Sequence, residues 1–383
     1  MFVIIILIAV SLLAGASYYL SYRLYQGLAA FFTGLRFWHV AAVVAAAVLL
    51  LLLGFGRGFV PFFKNTKHIF GLVGAYCMGV LFYLLLFTAA ADLLLLVPRL
   101  MKLPFTAHRL FHGFVCLAVL LSTGVTCVYG FINGAQIDHV EYRVSVAGKK
   151  DISDINIVMI SDLHLGAVGS ERRLEKIVAE INAQEPDLVC IAGDFFDTDF
   201  ETVKDPQAAL ATLRKLNATF GVYTCLGNHD GGQTHQQMRE FLKQAHICLL
   251  DDAYTVIDGR LVLVGRLDSS SIGGYDGKKR GEFSEFFTVE DQTLPVIVLE
   301  HNPANAMGYG AEVDLVLCGH THRGQVFPGS LVTDAMYDVD YGYYRKDTNN
   351  PHIIVSSGVG TWGMPMRVST NCEVVSIRIT CGS

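Results

Sequence analysis

Long runs of apolar residues dominate the first third of the chain. A bilayer core about 30 Å thick requires roughly 20 apolar residues in a helix that crosses it. Four stretches are long enough, and we predict four transmembrane helices over residues 2–22, 37–55, 69–97 and 110–132. Short segments with Lys and Arg separate them, and Pro61, Pro98 and Pro104 are expected to end helices.

After residue 137 the pattern becomes that of an α/β domain. Short apolar runs typical of buried strands end in polar clusters, and stretches with helical periodicity follow them. Strands are predicted over residues 141–146, 155–160, 187–192, 221–226, 261–265, 295–299 and 315–318, and helices over residues 170–182 and 206–216. We therefore predict a transmembrane helical domain over residues 1–137 and an α/β domain over residues 138–383.

Composition and charge agree with this division. Of the 383 residues, 52% are hydrophobic and 17% are charged, whereas soluble domains carry about 25% charged residues. Residues 1–137 have a net charge of +7, with Asp92 as their single acid, which leaves −13 for the remainder. Because the acidic domain lacks clustered Lys and Arg, we expect no nucleic-acid partner. The lipid bilayer is the expected partner of the first domain, and the oligomeric state is not predicted.

The cysteines favour a reducing compartment. There are nine, an odd number, with no CxxC pair, so neither a disulfide framework nor a structural zinc site is expected. The basic residues on the two sides of the predicted helices number six and five, too even a division for the positive-inside rule to give an orientation. We expect a multi-pass protein of the cell membrane whose α/β domain faces the cytoplasm.

Two features of the membrane domain allow alternatives. Residues 14–16 resemble a small-residue cleavage site, so the first stretch could be a signal peptide, although no Lys or Arg precedes it. Asp92 lies inside the third stretch, where either an interfacial position near Pro98 or a functional role would explain it. A channel or transporter with a regulatory domain is not favoured, because Asp92 stands alone and no internal repeat is evident.

Polar clusters follow five of the predicted strands, where open α/β sheets collect their ligands. Any one cluster is ordinary turn chemistry, but together they bring carboxylates, an amide and imidazoles to one edge. Imidazole and carboxylate ligands without cysteine suit Mn²⁺, Fe²⁺ or Zn²⁺. The donors are enough for two ions, which could clamp an in-line phosphoryl displacement. The clusters are Asp162-Leu163-His164, Gly193-Asp194-Phe195-Phe196-Asp197, Gly227-Asn228-His229-Asp230, His301 and Gly319-His320-Thr321-His322.

In order and spacing these five blocks resemble the signature of the calcineurin-like metallophosphoesterases. The segment 318–325, together with the membrane region, resembles a membrane-anchored branch that includes transmembrane proteins with a metallophosphoesterase domain. That branch is similar to UDP-2,3-diacylglucosamine pyrophosphatases. The resemblance implies a four-layer αββα sandwich with mixed sheets and metals at the strand ends, preceded by the four transmembrane helices.

The resemblance also implies a role for each residue of the blocks. His229 would protonate the leaving oxygen, with Asp230 orienting it, and an imidazole suits this task because its pKa lies near neutrality. Asp194 would bridge the two ions. The remaining ligands would be Asp162, His164 and His322 for one ion, and Asn228, His301 and His320 for the other.

The chain departs from the family pattern at two positions. Thr198 follows Asp197 where members often have an Arg that orients phosphate, and Arg323 stands where many members of the branch have Gly. Arg323 could bind a substrate phosphate or cap a solvated loop, and both interpretations stay open. Asp197 is expected to accept a hydrogen bond from a metal ligand and not to bind a metal itself. Asn302 and Asp268 are expected to be loop residues, and no role is assigned to His235 or His246.

We therefore expect a membrane-anchored phosphoesterase with two divalent ions. It would hydrolyse a phosphodiester, pyrophosphate or phosphomonoester bond in a lipid, lipid-linked or envelope substrate, by in-line attack of a metal-bridging hydroxide. The alternative is a catalytically silent metal-binding or scaffolding module, which loss of a ligand would indicate, and no ligand is lost. A large apolar surface beside the site would favour a lipid substrate.

Overall fold

Four long apolar helices make up most of the N-terminal unit, residues 1–131. The structure of the chain is a computed structural model, which describes residues 2–55, 67–147, 149, 154–169, 171–288 and 293–382. Each of the four is long and apolar enough to cross a membrane, as the sequence predicts. The helices are α1 (Phe2–Leu28), α2 (Phe37–Phe55), α3 (Lys67–Leu94), the short α4 (Leu96–Leu100) and α5 (Arg109–Gly134).

The helix ends differ from the predicted ones near the polar breaks. The first helix continues to Leu28 instead of ending at residue 22. Pro98 does not end α3 but lies in the first turn of α4, where a missing N–H costs nothing. Pro61 and residue 170, which begins the predicted helix 170–182, lie outside the described residues.

Asp92 is the centre of a polar network within this unit. Its carboxylate accepts hydrogen bonds from Tyr19 Oη at 2.6 Å and Arg99 Nη1 at 3.0 Å, and it also pairs with Arg23. Arg23 Nη1 in turn donates to Gln26 Oε1 at 2.6 Å. Asp92 is therefore paired with the basic residues of two neighbouring helices, α1 and α4. Such partners are what a carboxylate within an apolar segment needs, whether it lies at the membrane interface or deeper.

Two six-stranded mixed sheets form the second unit, residues 132–383. The first has the strand order β1-β12-β2-β3-β4-β5, and the second has the order β10-β11-β9-β8-β7-β6. The strands are β1 (Asp138–Ala147), β2 (Ile155–Ile160), β3 (Leu188–Ala192), β4 (Val222–Cys225), β5 (Ile247–Leu249), β6 (Ala253–Ile257), β7 (Leu261–Gly265), β8 (Val296–Leu299), β9 (Leu315–Cys318), β10 (Gly342–Tyr344), β11 (His352–Val355) and β12 (Glu373–Gly382). The helices are α6 (Glu171–Ala183), α7 (Pro206–Leu213), α8 (His235–Gln244), α9 (Phe283–Phe286) and α10 (Gly329–Met336).

The central strands are apolar on both faces because each face is covered. Ile157 and Met159 of β2 pack between the sheets with Leu263 of β7. Val158 and Ile160, which alternate with them, face outward onto α6, α7 and α8. On the second sheet, the outward faces of β7, β8 and β9 pack against aromatic and aliphatic residues of α9 and the segment 303–309. These layers confirm the predicted αββα sandwich.

Strand direction decides where the site lies. In the first sheet β2, β3 and β4 are parallel neighbours, and in the second β7, β8 and β9 are parallel neighbours. Their carboxyl ends therefore share one edge in each sheet, and the polar clusters follow these ends.

The polar network in the N-terminal unit predicts a stability effect. Replacing Asp92 by Ala leaves Arg23 and Arg99 without their carboxylate, so we expect a loss of roughly 1.5–3 kcal/mol, the usual contribution of hydrogen bonds to charged groups. Thermal unfolding of the full chain in detergent, followed by circular dichroism, would measure it. Glu141→Ala is the control, because Glu141 pairs only at the exposed surface with Arg143 and Arg378. Equal unfolding temperatures for the two variants would contradict the stabilising role of the Asp92 network.

Candidate metal centre

The predicted ligands lie directly after the carboxyl ends of five strands. Asp162 and His164 follow β2, Asp194 follows β3, and Asn228 follows β4. On the second sheet His301 follows β8, and the pair of histidines at 320 and 322 follows β9. Six of the seven side chains are buried, and the seventh, His320, is half-buried. The structure therefore brings together residues that are more than 150 positions apart in the chain.

The backbone at these positions is strained. A positive φ is uncommon for residues other than glycine and costs about 1–3 kcal/mol where it occurs. Five of the seven residues adopt it, and such strain concentrates at functional sites. The φ values are 54° for Asp162, 46° for His164, 50° for Asp194, 74° for His320 and 49° for His322.

Two glycines of the blocks allow the close approach of the loops. A Cβ atom at Gly227 would overlap Asp194 Oδ1 and the Asp194 amide nitrogen. A Cβ atom at Gly319 would overlap Asp162 Oδ2 and the Ser161 side chain. The glycines before Asn228 and His320 are thus required by packing against the carboxylates of the opposite loops.

Two groups of donors converge in the cluster. In the first, His164 Nε2 lies 3.0 Å from His322 Nε2, which lies 3.6 Å from Asp162 Oδ1. Their ligand atoms all lie within 4.8 Å of one another, close enough to hold one ion.

The second group consists of Asn228, His301 and His320. Asn228 Oδ1 lies 3.1 Å from His301 Nε2 and 2.8 Å from His320 Nδ1. His301 Nε2 and His320 Nδ1 are 3.2 Å apart. The other ring nitrogen of His301, Nδ1, lies 2.9 Å from the Ala192 carbonyl oxygen, which orients Nε2 toward the cluster.

Asp194 lies between the two groups. Its Oδ2 is 3.3 Å from His301 Nε2 in the second group and 3.7 Å from His164 Nε2 in the first. Its Oδ1 accepts a hydrogen bond from the His229 amide at 2.8 Å. One carboxylate oxygen therefore faces both groups while the other is fixed by the backbone.

The electrostatics of the cluster fit divalent cations. Burial lowers the pKa of His164 and of His320 to about 4, so both imidazoles are neutral at physiological pH and have lone pairs to offer. Burial raises the pKa of Asp162 to about 6. Burial acts in the same direction on Asp194, but the surrounding imidazoles outweigh it and hold the pKa of that carboxyl well below its usual range. His164 Nδ1 is buried without a hydrogen-bond partner among the described residues. Burial alone would lower the pKa of His301, but the Asp194 and Asp162 carboxylates raise it well above its usual value, so a cation bound there would displace a proton. Imidazole nitrogens and carboxylate oxygens at these distances are a donor set that a cation satisfies.

The expected contact between Asp230 and the His229 ring is not formed. His229 Nδ1 lies 2.6 Å from Thr198 Oγ1 instead. The Asp230 carboxylate turns toward backbone N–H groups, accepting from Phe196 and Gly227, each at 2.8 Å. Those amides need acceptors in a buried loop, so Asp230 holds the loop that carries His229 and does not orient the ring. Thr198, which departs from the family pattern, takes that position.

Arg367 is a residue of the site that sequence reasoning missed. It is fully buried, and Nη1 donates to the His322 carbonyl oxygen at 2.9 Å while Nη2 lies 3.1 Å from His322 Nδ1. Nη2 also donates to the carbonyl oxygens of Ser357 and Gly360, each at 2.7 Å. Arg367 thereby fixes His322 against the loop after β11. Since the two residues are 45 positions apart, no local pattern could reveal the contact.

The remaining candidates lie around the cluster. The guanidinium of Arg323 is exposed and stacks on Tyr341, 4.3 Å from the ring centroid. The Asp197 carboxylate lies within 4.8 Å of ligand atoms of both His164 and His229.

Of the two expected loop residues, one conforms and one is unusual. Asn302 begins the helical turn 303–308 by accepting from the Ala304 amide at 3.0 Å. Asp268 is buried, burial raises the pKa of its carboxyl, and its Oδ2 has no hydrogen-bond partner among the described residues. His235 begins α8, with its Nδ1 2.8 Å from the Asp230 carbonyl oxygen, and His246 lies two residues after the helix ends.

Known proteins share this arrangement of blocks. The family profile described as calcineurin-like phosphoesterase matches residues 155–324, a range that includes all seven candidate ligands. An "uncharacterized metallophosphoesterase" of Aquifex aeolicus is 33% identical over 235 residues, which are 59% of this chain and 85% of the relative.

Two further relatives match a larger share of the chain. One is an "uncharacterized metallophosphoesterase" of Helicobacter pylori (strain J99), 28% identical over 338 residues, with 86% of this chain and 88% of the relative covered. The other is a "transmembrane protein with metallophosphoesterase domain" of Danio rerio, 27% identical over 354 residues, with 86% and 78% covered. Because the shared region contains the whole cluster at the strand ends, the chain belongs to the calcineurin-like phosphoesterase family and is a metal-dependent phosphoester hydrolase.

Proposed function

We propose that the chain is a membrane-anchored phosphoesterase with two divalent ions that hydrolyses a phosphodiester, pyrophosphate or phosphomonoester bond in a lipid or lipid-linked substrate of the envelope. The observation that carries this proposal is the position of Asp194 Oδ2, which faces both donor groups. A carboxylate in that position is what a pair of ions sharing one ligand requires.

The donor groups divide the ligands between the two ions. Asp162, His164 and His322 would hold one ion, and Asn228, His301 and His320 the other, with Asp194 shared. Two ions bound there would supply an activated hydroxide for in-line attack and would neutralise charge on the phosphoryl oxygens. Imidazole and oxygen donors suit Mn²⁺, Fe²⁺ or Zn²⁺, and we propose Mn²⁺ for the first assay because the Asn228 oxygen is a hard ligand.

In this proposal His229 protonates the leaving oxygen. Thr198 Oγ1 can accept a hydrogen bond from the Nδ1–H group at 2.6 Å. In the protonated imidazole the other nitrogen, Nε2, then carries the proton that the leaving group needs. The Asp197 carboxylate, within 4.8 Å of His229, stabilises the charged imidazole. Asp230 acts indirectly, through the loop that it holds.

A substrate in or near a bilayer follows from the way the domain is attached. Only residues 135–137 separate the last apolar helix, α5, from β1, so the domain works within reach of a membrane. A silent scaffolding module gains no support, because every ligand of the set is present. The proposed location is the cell membrane with the domain in the cytoplasm, which the nine free cysteines support.

Variants of His229 and Thr198 test the proposed acid. With Mn²⁺ and bis-p-nitrophenyl phosphate, His229→Ala should lower kcat by about 10²–10⁴, the usual contribution of general acid catalysis. Thr198→Val should lower kcat by about tenfold or more, because it removes the partner that orients the ring. Both losses should grow for a diester with an alkyl leaving group, which depends more on protonation.

A matched control separates this role from a structural one. Thr198→Ser keeps the hydroxyl and should retain most of the activity, and Mn²⁺ binding should be unchanged in all three variants. If the losses were the same for good and poor leaving groups, His229 would not be the acid.

Cys248 tests the proposed orientation, because it is the single cysteine of the described second unit that is exposed. A maleimide that cannot cross membranes should label Cys248 in permeabilised cells and leave it unlabelled in intact cells. Cys248→Ser supplies the background. Labelling in intact cells at the permeabilised level would place the domain outside the cytoplasm.

A further inference from the structure

Helix α10 exposes its apolar face. Leu331, Val332 and Met336 are 62%, 56% and 70% exposed, and Ala335 on the same face is also exposed. The half-buried side is polar, and Thr333 Oγ1 there donates to Asp340 Oδ2 at 3.0 Å. A helix on a water-soluble domain ordinarily turns its apolar face to the core. In α10 the arrangement is the reverse.

Two neighbouring aromatic residues extend this surface. Phe327, just before α10, is 45% exposed, and Trp362 is 47% exposed. Trp362 is tied to the segment before α10, because its amide donates to Gln325 Oε1 at 2.8 Å and its carbonyl oxygen accepts from Gln325 Nε2 at the same distance. We call Phe327, Leu331, Val332, Met336 and Trp362 the apolar rim.

The apolar rim accounts for most of the exposed large hydrophobic surface of the domain. Among the described residues of 138–382, nine large hydrophobic side chains are exposed, and five belong to the rim. The other four are Tyr254 and Val256 on β6, Ile272 and Tyr343. A concentration of this kind marks a binding surface for a membrane, a ligand or a protein.

Two aromatic residues, one in the rim and one directly after α10, lie beside the metal centre. The Trp362 ring lies 5.8 Å, centroid to centroid, from the ring of the proposed acid, His229. Tyr337, directly after α10, lies 6.0 Å from the ring of His320. A molecule whose phosphoester lies in the centre would therefore have apolar surface immediately beside it.

We propose that the apolar rim rests on a lipid surface, so that the acyl chains of a lipid substrate contact the rim while its phosphoester enters the metal centre. The short connection of residues 135–137 keeps the domain close to the bilayer that its apolar helices require. A mixture of aliphatic side chains on a short helix with Trp and Phe beside it is the composition of surfaces that enter the interfacial region of a bilayer. The substrate class rests on the proposed function, whereas the contact with lipid does not.

Tryptophan fluorescence tests the contact directly. The chain has two tryptophans, Trp38 on α2 and Trp362 on the rim, so Trp38→Phe leaves Trp362 as the single reporter. The full chain would be placed in nanodiscs of phosphatidylcholine with or without brominated acyl chains. We expect Trp362 emission to lose intensity in the brominated nanodiscs and to lie at shorter wavelength than in the denatured protein.

Rim variants in the Trp38→Phe background give the specific result. Replacing Leu331, Val332 and Met336 together by Ser should abolish the quenching, and Leu331→Ser alone should reduce it. Val256→Ser is the control, because Val256 on β6 is 48% exposed but lies outside the rim, and it should leave quenching unchanged. Equal Trp362 emission in both kinds of nanodisc would overturn the proposal, as would full quenching in the triple variant.

Hydrolysis of bis-p-nitrophenyl phosphate, measured on the same samples, separates the two proposals. The triple variant should keep the activity of the parent, because the soluble diester has no acyl chains, and this also shows that it is folded. Quenching without any metal-dependent hydrolysis in the parent would leave the lipid contact intact and refute the proposed function. Metal-dependent hydrolysis without quenching would support the proposed function and refute the lipid contact.

Discussion

The Asp194 carboxylate is the interaction on which the functional centre depends. It lies at the end of β3 in the first sheet, yet one oxygen is 3.3 Å from His301, which follows β8 in the second sheet. The other oxygen accepts from the amide of His229, so the same side chain sets the proposed acid relative to the ligands. Its position is possible only because Gly227 leaves room for it. The two sheets and the loop after β4 thus meet at one carboxylate.

The surrounding fold compensates for a strained centre. Five ligand positions have left-handed backbone conformations, each of which costs about 1–3 kcal/mol, and buried carboxylates and imidazoles are costly without a cation. Strands such as β3, which is fully apolar and covered on both faces, provide the rigid support. Arg367 adds several hydrogen bonds to carbonyl oxygens around His322. The surrounding chain therefore holds the centre, and a cation would relieve the repulsion between its carboxylates.

The sequence predicts this fold where the local pattern is strong. The bounds of β2 are those predicted, because a run that is apolar apart from Asn156 ends abruptly in Ser161 and Asp162. The short β5 and the late strand β12 were not predicted, since their placement depends on neighbours far away in the chain. The ligand residues could be identified because they follow strand ends. The directions in which the side chains of these loops point could not be predicted from the sequence. The sequence therefore assigns to Asp230 the contact with the His229 ring that Thr198 makes in the structure. Likewise, no local pattern indicates that α10 exposes its apolar face.

Electron paramagnetic resonance of the full chain loaded with Mn²⁺ tests the shared position of Asp194 most directly. The account predicts two ions per chain with the spectrum of a magnetically coupled pair, because ions that share a carboxylate lie about 3.5–4 Å apart. Asp194→Asn should convert this spectrum to that of isolated ions with weaker binding. A single-ion spectrum from the unaltered chain at full occupancy, or a coupled spectrum unchanged in Asp194→Asn, would contradict it.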